Sequence, residues 1–527
     1  MSMGRAFSAI LGLVLFVGGA CSPVDEGGGS QSGDANLRSG EAEQGGELVI
    51  ALAEEPDVLD PSLALTFVGR IVFSSICEKL YDVNENLEIV PQLAAELPRI
   101  SSDGLTVTIP LRDGIKFNDG TDFNAEAVKM SLERHLSIEG SARASEIASI
   151  NKVEAIDPLT VEITLTEPFT PLTAALADRS GMVMSPAQLE KLGADFGDDP
   201  ICVGPFNFVE RVAQDRIVVE KSDDYYEADQ VNLDRITYRV IVEPNVRVSN
   251  LRSGDVDVAE RIAPTDVGTL EGDANFQLSE ATSLGYQGIT INLANPSPQD
   301  TPLGSEAGLR EAFEMSLDRD AINEVMFDGQ VIPDCSPLSP ESPWAVDVEC
   351  TPFDLQGARR IISDSGVDTP IPVELITNND AEGVRFGEVV QSLAKKAGFA
   401  VEIRPTEFTA ALEETDAGNY ETFAIGWSGR VDPDQNIHQF HTSDGSLNIS
   451  GTSNPKIDAL LNKARRVQGM DERRTIYQQA IKLMNEERSI IYLYHDKLVL
   501  AASKDVVGVE YFGDGLVRLK AAGFAAQ

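Results

Sequence analysis

From residue 46 onward, the apolar positions switch between the two-residue period of strands and the three-to-four-residue period of helices. GELVIALAEE (46–55) predicts a strand, and 56–61, bounded by prolines, an irregular turn. Over 67–81, Val68, Ile71, Val72, Ile76 and Leu80 fall on one helical face. LTVTIPLR (105–112) alternates like a half-buried strand entered through an Asp103-Gly104 turn. The stretch LRDGIKFNDGTDFNAEAVKMSLER (111–134) contains Asp113-Gly114 and Asp119-Gly120, which predict a strand pair with tight reversals. A helix follows at once: Asn124 reads as its N-cap, Phe123 and Val128 as a hydrophobic staple, and Leu132 as part of the buried face.

The second half keeps the style without a fixed-period repeat. Residues 309–327 predict two helices broken around Asp318-Arg319-Asp320, and 384–396 a helix followed by a strand at 400–403. YETFAIGW (420–427) reads as a buried strand. Asn454 caps a helix with Pro455 at its first position, 471–486 forms another helix, and 490–502 gives two short strands. The class is α/β with a mixed sheet. At 527 residues the chain is too long for one core, so two or three domains are expected.

The N-terminus breaks this pattern. Ala6 to Ala20 is apolar and fifteen residues long, short for a membrane span and right for the apolar part of a signal peptide. Gly19-Ala20-Cys21 resembles the bacterial lipobox, whose cysteine is acylated, although Gly18 stands where Leu is usual; simple cleavage beside an incidental Cys is the alternative. Residues 21–46 are Gly-, Ser- and acid-rich and read as a flexible leash. The expectation is a soluble domain exported and lipid-anchored through Cys21, in the periplasm or on the outer membrane face. Four cysteines remain. Cys335 and Cys350 bracket a Pro-rich loop and are expected to pair, leaving Cys77 and Cys202 as a second disulfide or as buried thiols.

Charge narrows the function. Lys plus Arg number 42 against 85 for Asp plus Glu, a net −43, which repels phosphate backbones and disfavours nucleic acid as a partner. The chain has no G-x-S-x-G elbow, P-loop or G-x-G-x-x-G. His438 and His441 are close enough to share a metal on a helix, but no H-E-x-x-H surrounds them, and Asp432 to Asn436 departs from a calcium loop at Ile437 and Ser443. No catalytic residue, resident metal or cofactor is expected.

Several ordered blocks carry a family resemblance. They are VPQLAAELPRISSDGLTVTIPLRDGIKFNDGTDFNAEAVKMSLER (90–134), CVGPF (202–206) with DDYY (223–226), LRSGDVD (251–257), 309–320, IGWS (425–428) with DPD (432–434), NPKIDALL (454–461) and YLYH (492–495). Together they resemble the extracytoplasmic solute-binding proteins of the peptide/nickel class (family 5), which feed ABC importers. The resemblance implies a two-lobed periplasmic-binding-protein-like fold of the cluster C type with an extra inserted domain. Its implied boundaries are 47–75, 205–290 and 503–527 for a discontinuous domain I, 76–204 for the insert and 291–502 for the second lobe. Cys77 and Cys202 then stand at the two junctions of the insert, which favours their pairing. It also implies a monomer that captures a peptide or other small polar solute, hands it to membrane permease subunits and is not an enzyme. A receptor for a metal chelate such as a nickel complex is the nearer alternative, a secreted hydrolase the more distant one.

In peptide-binding members, an acid just after the Gly-Trp strand end pairs the ligand's amino group; here that position holds Arg430, with acids only at Asp432 and Asp434. Arg430 in the cleft would favour a carboxylate, while a solvent-facing Arg430 would pass the pairing role to Asp432. Arg385 matches a position where dipeptide-binding relatives keep an Arg for the ligand carboxylate. Trp427 is a candidate stacking wall and Tyr286 a further ligand-facing candidate.

Overall fold

A computed structural model describes Leu37 and residues 40–526; Cys21, the apolar N-terminal run and most of the expected leash lie outside the described residues. Two large sheets organise the chain. The first has seven strands, in the order Phe276–Thr282, Lys497–Ser503, Val258–Ala259, Glu47–Leu52, Arg235–Val240, Arg216–Lys221 and Phe206–Val212. Glu47–Leu52 runs parallel to both neighbours, as a strand buried in every residue but its first two alternate positions can. The second has six: Ile332–Pro333, Ile490–His495, Tyr286–Ile291, Thr422–Trp427, Ile371–Asn378 and Phe399–Thr406. A four-stranded antiparallel sheet of Arg99–Ile100, Thr106–Pro110, Thr160–Leu165 and Ile150–Asp157 belongs to the inserted segment.

The chain passes between the large sheets twice, at Ser283-Leu284-Gly285 and at Asp496. Tyr286–Ile291 therefore sits in the second lobe and Lys497–Ser503 in the first. The boundaries drawn at 290/291 and 502/503 cut through these strands and move to the two crossovers. The crossovers are tied together: Ser283 N–H donates to the Asp496 carbonyl at 2.9 Å and Gln287 Nε2 to Asp496 Oδ2 at 2.8 Å. Gly285 is required there, because a Cβ would lie 2.0 Å from the Trp427 carbonyl oxygen.

The insert shares its core with the first lobe: Leu48 and Ile50 of the seven-stranded sheet and Val107, Ile109 and Ile163 of the small sheet belong to one buried cluster. The second lobe has cores of its own, around Ile289, Phe313 and Leu375 and around Ile457, Tyr477 and Ile481. Cys77 and Cys202 are joined, with Cα atoms 4.9 Å apart, as are Cys335 and Cys350 at 5.5 Å. No helix among the described residues is long and apolar enough to cross a membrane.

The region around 111–134 differs from its expected form. Gly114 and Gly120 take φ +74° and +79° as the Asp-Gly turns demand, but the strand pair reduces to one bridge, Lys116 to Asp122. Phe117 N–H still donates to the Thr121 carbonyl and Phe123 N–H to that of Ile115 across the reversal, while Leu111 N–H is satisfied by the Leu159 carbonyl and Asn118 N–H by that of Cys202. The helix Ala125–Ser137 begins as its cap dictates, with Asn124 Oδ1 accepting from Glu126 and Ala127 N–H at 3.1 Å.

Candidate functional site

The lobes meet over a set of charged side chains. Thr422–Trp427 ends at the lobe boundary, and the turn Ser428-Gly429-Arg430 follows. Gly429 holds φ +76°, and a Cβ there would reach 2.3 Å from the Leu284 carbonyl carbon. This turn presents Arg430 to the opposite lobe. Arg430 Nη1 donates to the Gly429 carbonyl at 2.7 Å and to Ser428 Oγ at 3.1 Å, and the guanidinium lies 4.7 Å over the Trp427 ring. Asn436 fixes the turn by accepting from Arg430 N–H and Trp427 Nε1 and donating to the Arg430 carbonyl.

Across the boundary, Arg430 Nε sits 3.0 Å from Asp178 Oδ2, which Arg70 Nη2 reaches at 3.1 Å. Asp178 comes from the insert, where its Oδ1 also caps Arg179 N–H, and Arg70 from the helix Phe67–Ile76. Behind them, Arg179 Nη1 donates to the Ala64 and Thr66 carbonyls, and Arg143 pairs with Glu146 at 2.6 Å. Burial would raise the Asp178 pKa, but Arg70, Arg430 and Arg179 outweigh it and hold the carboxyl well below its usual range. Arg430 is pushed down to about 10, by burial first and then by Arg70. Other contacts join the lobes nearby: Thr170 N–H to the Arg465 carbonyl at 2.8 Å, Arg466 to Glu167, and Thr282 Oγ1 to Glu341 at 2.8 Å.

The other sequence candidates scatter. Trp427 borders the site, half-buried and edge-on to Phe440 at 5.1 Å. Asp432 is buried against Arg473 in a two-pronged pair at 2.7 and 2.8 Å, wholly inside the second lobe. Tyr286 is a core residue, edge-on to Tyr492 at 4.8 Å, because a strand between two neighbours directs its ring inward. Arg385 is exposed and donates to the Val325 carbonyl. His438 and His441 have separate partners, Asn462 Oδ1 at 3.0 Å and the Tyr492 hydroxyl at 2.6 Å, and burial lowers both pKa values, that of His441 to about 3.

Arg70, Asp178 and Arg179 were missed, yet each left a trace. Arg70 is the lone charge in FVGRIVFSSI, and Asp178-Arg179 interrupt the apolar run PLTAALADRSGMVM. A charge inside an apolar segment must find a partner when that segment packs.

A sequence profile described as "Bacterial extracellular solute-binding proteins, family 5 Middle" matches residues 88–448. The chain belongs to this family. Its members are binding proteins of transport rather than enzymes. A curated relative, the glutathione-binding protein GsiB of Pectobacterium atrosepticum, is 29% identical over 482 residues, covering 89% of this chain and 92% of its own. Two solved structures share the two-lobed fold: the periplasmic binding protein DppA of Helicobacter pylori with the peptide STSA (TM-score 0.82, 22% identity, 92% of this chain and 99% of that one), and NikZ of Campylobacter jejuni with Ni(L-His) (TM-score 0.79, 23% identity, 89% and 97%).

Proposed function

We propose that this protein is the lipid-anchored, extracytoplasmic receptor of an ABC importer, and that it captures a small peptide or glutathione-like solute between its lobes. Cys21 is the anchor, and residues 21–46 let the receptor reach the permease. The observation that carries the solute class is the Arg430–Asp178 contact: a guanidinium stands at the lobe boundary where peptide-binding members of the family keep an acid. A guanidinium recognises a carboxylate by two parallel hydrogen bonds, which a solute with a free acid group supplies. Closing on that group adds contacts to the shut state alone, and the shut form is what a permease reads. The similarity to a glutathione-binding protein and to a binding protein that holds the peptide STSA supports the same class. A metal chelate is weaker here, since His438 and His441 already bond Asn462 and Tyr492.

Calorimetry against glutathione, dipeptides and Ni(L-His)2, with product analysis of each mixture, tests the proposal. Saturable binding of glutathione or a dipeptide without turnover is expected. Binding of the nickel complex alone, or consumption of a solute, would overturn it.

A further inference from the structure

The cluster behind Arg430 is not electrically balanced. Four guanidiniums, of Arg70, Arg143, Arg179 and Arg430, are all at least nine-tenths buried, and the carboxylates that act on them are Asp178, Glu146 and Asp514, the last already paired with Arg518 at 2.6 Å. Arg70 Nη1 is buried and makes no hydrogen bond, although the same guanidinium holds Asp178. An unshared buried cation and an unused donor are both costly, and an anion between the lobes would relieve both.

Phe67, half-buried, links this cluster to a region of opposite sign. Arg70 lies 5.7 Å from its ring centroid and Arg261 5.1 Å. Arg261 has φ +49°, a left-handed conformation that a residue with a long side chain adopts at a cost. Its charge is already taken, by Glu54 at 2.5 Å and Glu260 at 3.6 Å. Arg261 also acts electrostatically on Glu382, on the helix Ala381–Lys395 of the second lobe, and on Asp496 at the crossover. Both carboxyls are raised, Glu382 by the protein packed around it, although the residue keeps its access to solvent, and then by Asp496 and Asp380, Asp496 by burial. Glu382 forms no ion pair among the described residues, and Asp496 Oδ2 accepts from neutral Gln287.

Resting on the receptor reading above, we propose that the solute is a zwitterion lying along Phe67, its carboxylate on Arg70 and Arg430 and its ammonium towards Glu382 and Asp496. This polarity is the reverse of the one the family resemblance implies, with an acid at position 430 and the carboxylate taken at Arg385. Arg70 and Glu382 become determinants of solute choice.

A cycle of solute and protein changes reads the polarity. The probes are dialanine and glutathione, each with its N-acetyl and C-terminal amide derivative, titrated into wild type, Arg430→Gln, Glu382→Gln and Arg385→Gln. Amidation is expected to weaken wild type roughly tenfold or more and to cost little further in Arg430→Gln. The acetylation penalty should vanish in Glu382→Gln. Glu382 is exposed and apart from the buried cluster, so this arm decides even if Arg430→Gln does not fold. An amidation penalty that survives in Arg430→Gln but disappears in Arg385→Gln overturns the orientation, as does equal binding of parent and derivatives, while the receptor reading stands. If neither parent binds wild type, both readings fall.

Discussion

Asp178→Asn is the most telling single change, because it alters charge while nearly preserving shape. Asp178 Oδ2 is where Arg70 and Arg430 converge, at 3.1 and 3.0 Å, and the side chain is 7% exposed. Asparagine can still cap Arg179 N–H through Oδ1, but it leaves two buried guanidiniums without the carboxylate they both pair with and turns an amide N–H towards them. Removing one member of a buried ion pair costs about 3–5 kcal/mol. Urea unfolding at pH 7 should show that loss. The chain has only two tryptophans, Trp344 and Trp427, and Arg430 lies 4.7 Å over the latter, so in a Trp344→Phe background fluorescence reports the contact itself. The pH dependence gives a second reading. The folded pKa of Asp178 is depressed, so its contribution is complete above the ordinary value of about 3.9 and fades as pH falls through the lower folded value. The gap between wild type and variant should hold at neutral pH and narrow only in strong acid. A loss under about 1 kcal/mol at pH 7 would refute the claim that this carboxylate holds the cationic cluster together.

Other changes test the surroundings. Glu78 is buried between the Tyr225 and Tyr226 hydroxyls, at 2.6 and 2.9 Å, and burial raises its pKa to about 7. The folded state thus keeps a proton that the unfolded state releases at about 4.3, so about 3 kcal/mol of stability should be lost as pH climbs from 4.3 to 7, and Glu78→Gln should abolish that slope in denaturation curves. Asp432→Asn strands Arg473 and should cost about 3–5 kcal/mol in urea unfolding; lost solute affinity at full stability would return Asp432 to the site. Replacing Cys335 and Cys350 by Ser opens a loop of 15 residues and should cost about 3 kcal/mol, read by chemical denaturation under oxidising conditions.

What the sequence disclosed follows from the range of the forces involved. Local signals were legible. Asn124 caps its helix, Asp318 starts Arg319–Phe327, and Asn454 with Pro455 starts Pro455–Ala464, because each depends on neighbours within four residues. The boundaries that the resemblance implied could not be refined from the chain, because a strand's period does not reveal which sheet will pair with it: Tyr286–Ile291 and Lys497–Ser503 belong to opposite lobes. Arg430 stood out against its family's pattern. Its partners did not, since Asp178 and Arg70 are brought to it only when the lobes meet, and no spacing along the chain encodes that meeting. Tyr286 and Asp432 show the same limit: their places along the chain did not disclose that the one packs edge-on to Tyr492 and the other pairs with Arg473.

An ion pair suits this boundary better than an apolar contact of equal area. Burying hydrocarbon between the lobes would favour closure at about 25 cal/mol per Å² whether or not a solute were present. A buried charge pair gains attraction but loses hydration, so its net contribution lies near zero. The Arg430–Asp178 contact can therefore fix the geometry of the shut form without holding it shut. The uncompensated charge around Arg70 goes further, because closure without an anion buries cations at a cost that a carboxylate would remove. The coupling between occupancy and shape then arises from the protein's own charge imbalance. To carry the equilibrium from mostly open to mostly shut, the solute must prefer the shut form by about 5.5 kcal/mol. Two charge-assisted hydrogen bonds to guanidiniums, at roughly 1.5–3 kcal/mol each, are of that size. A solute amidated at its carboxylate should accordingly still enter the cleft but leave the lobes apart, a difference that small-angle scattering of the two complexes would register.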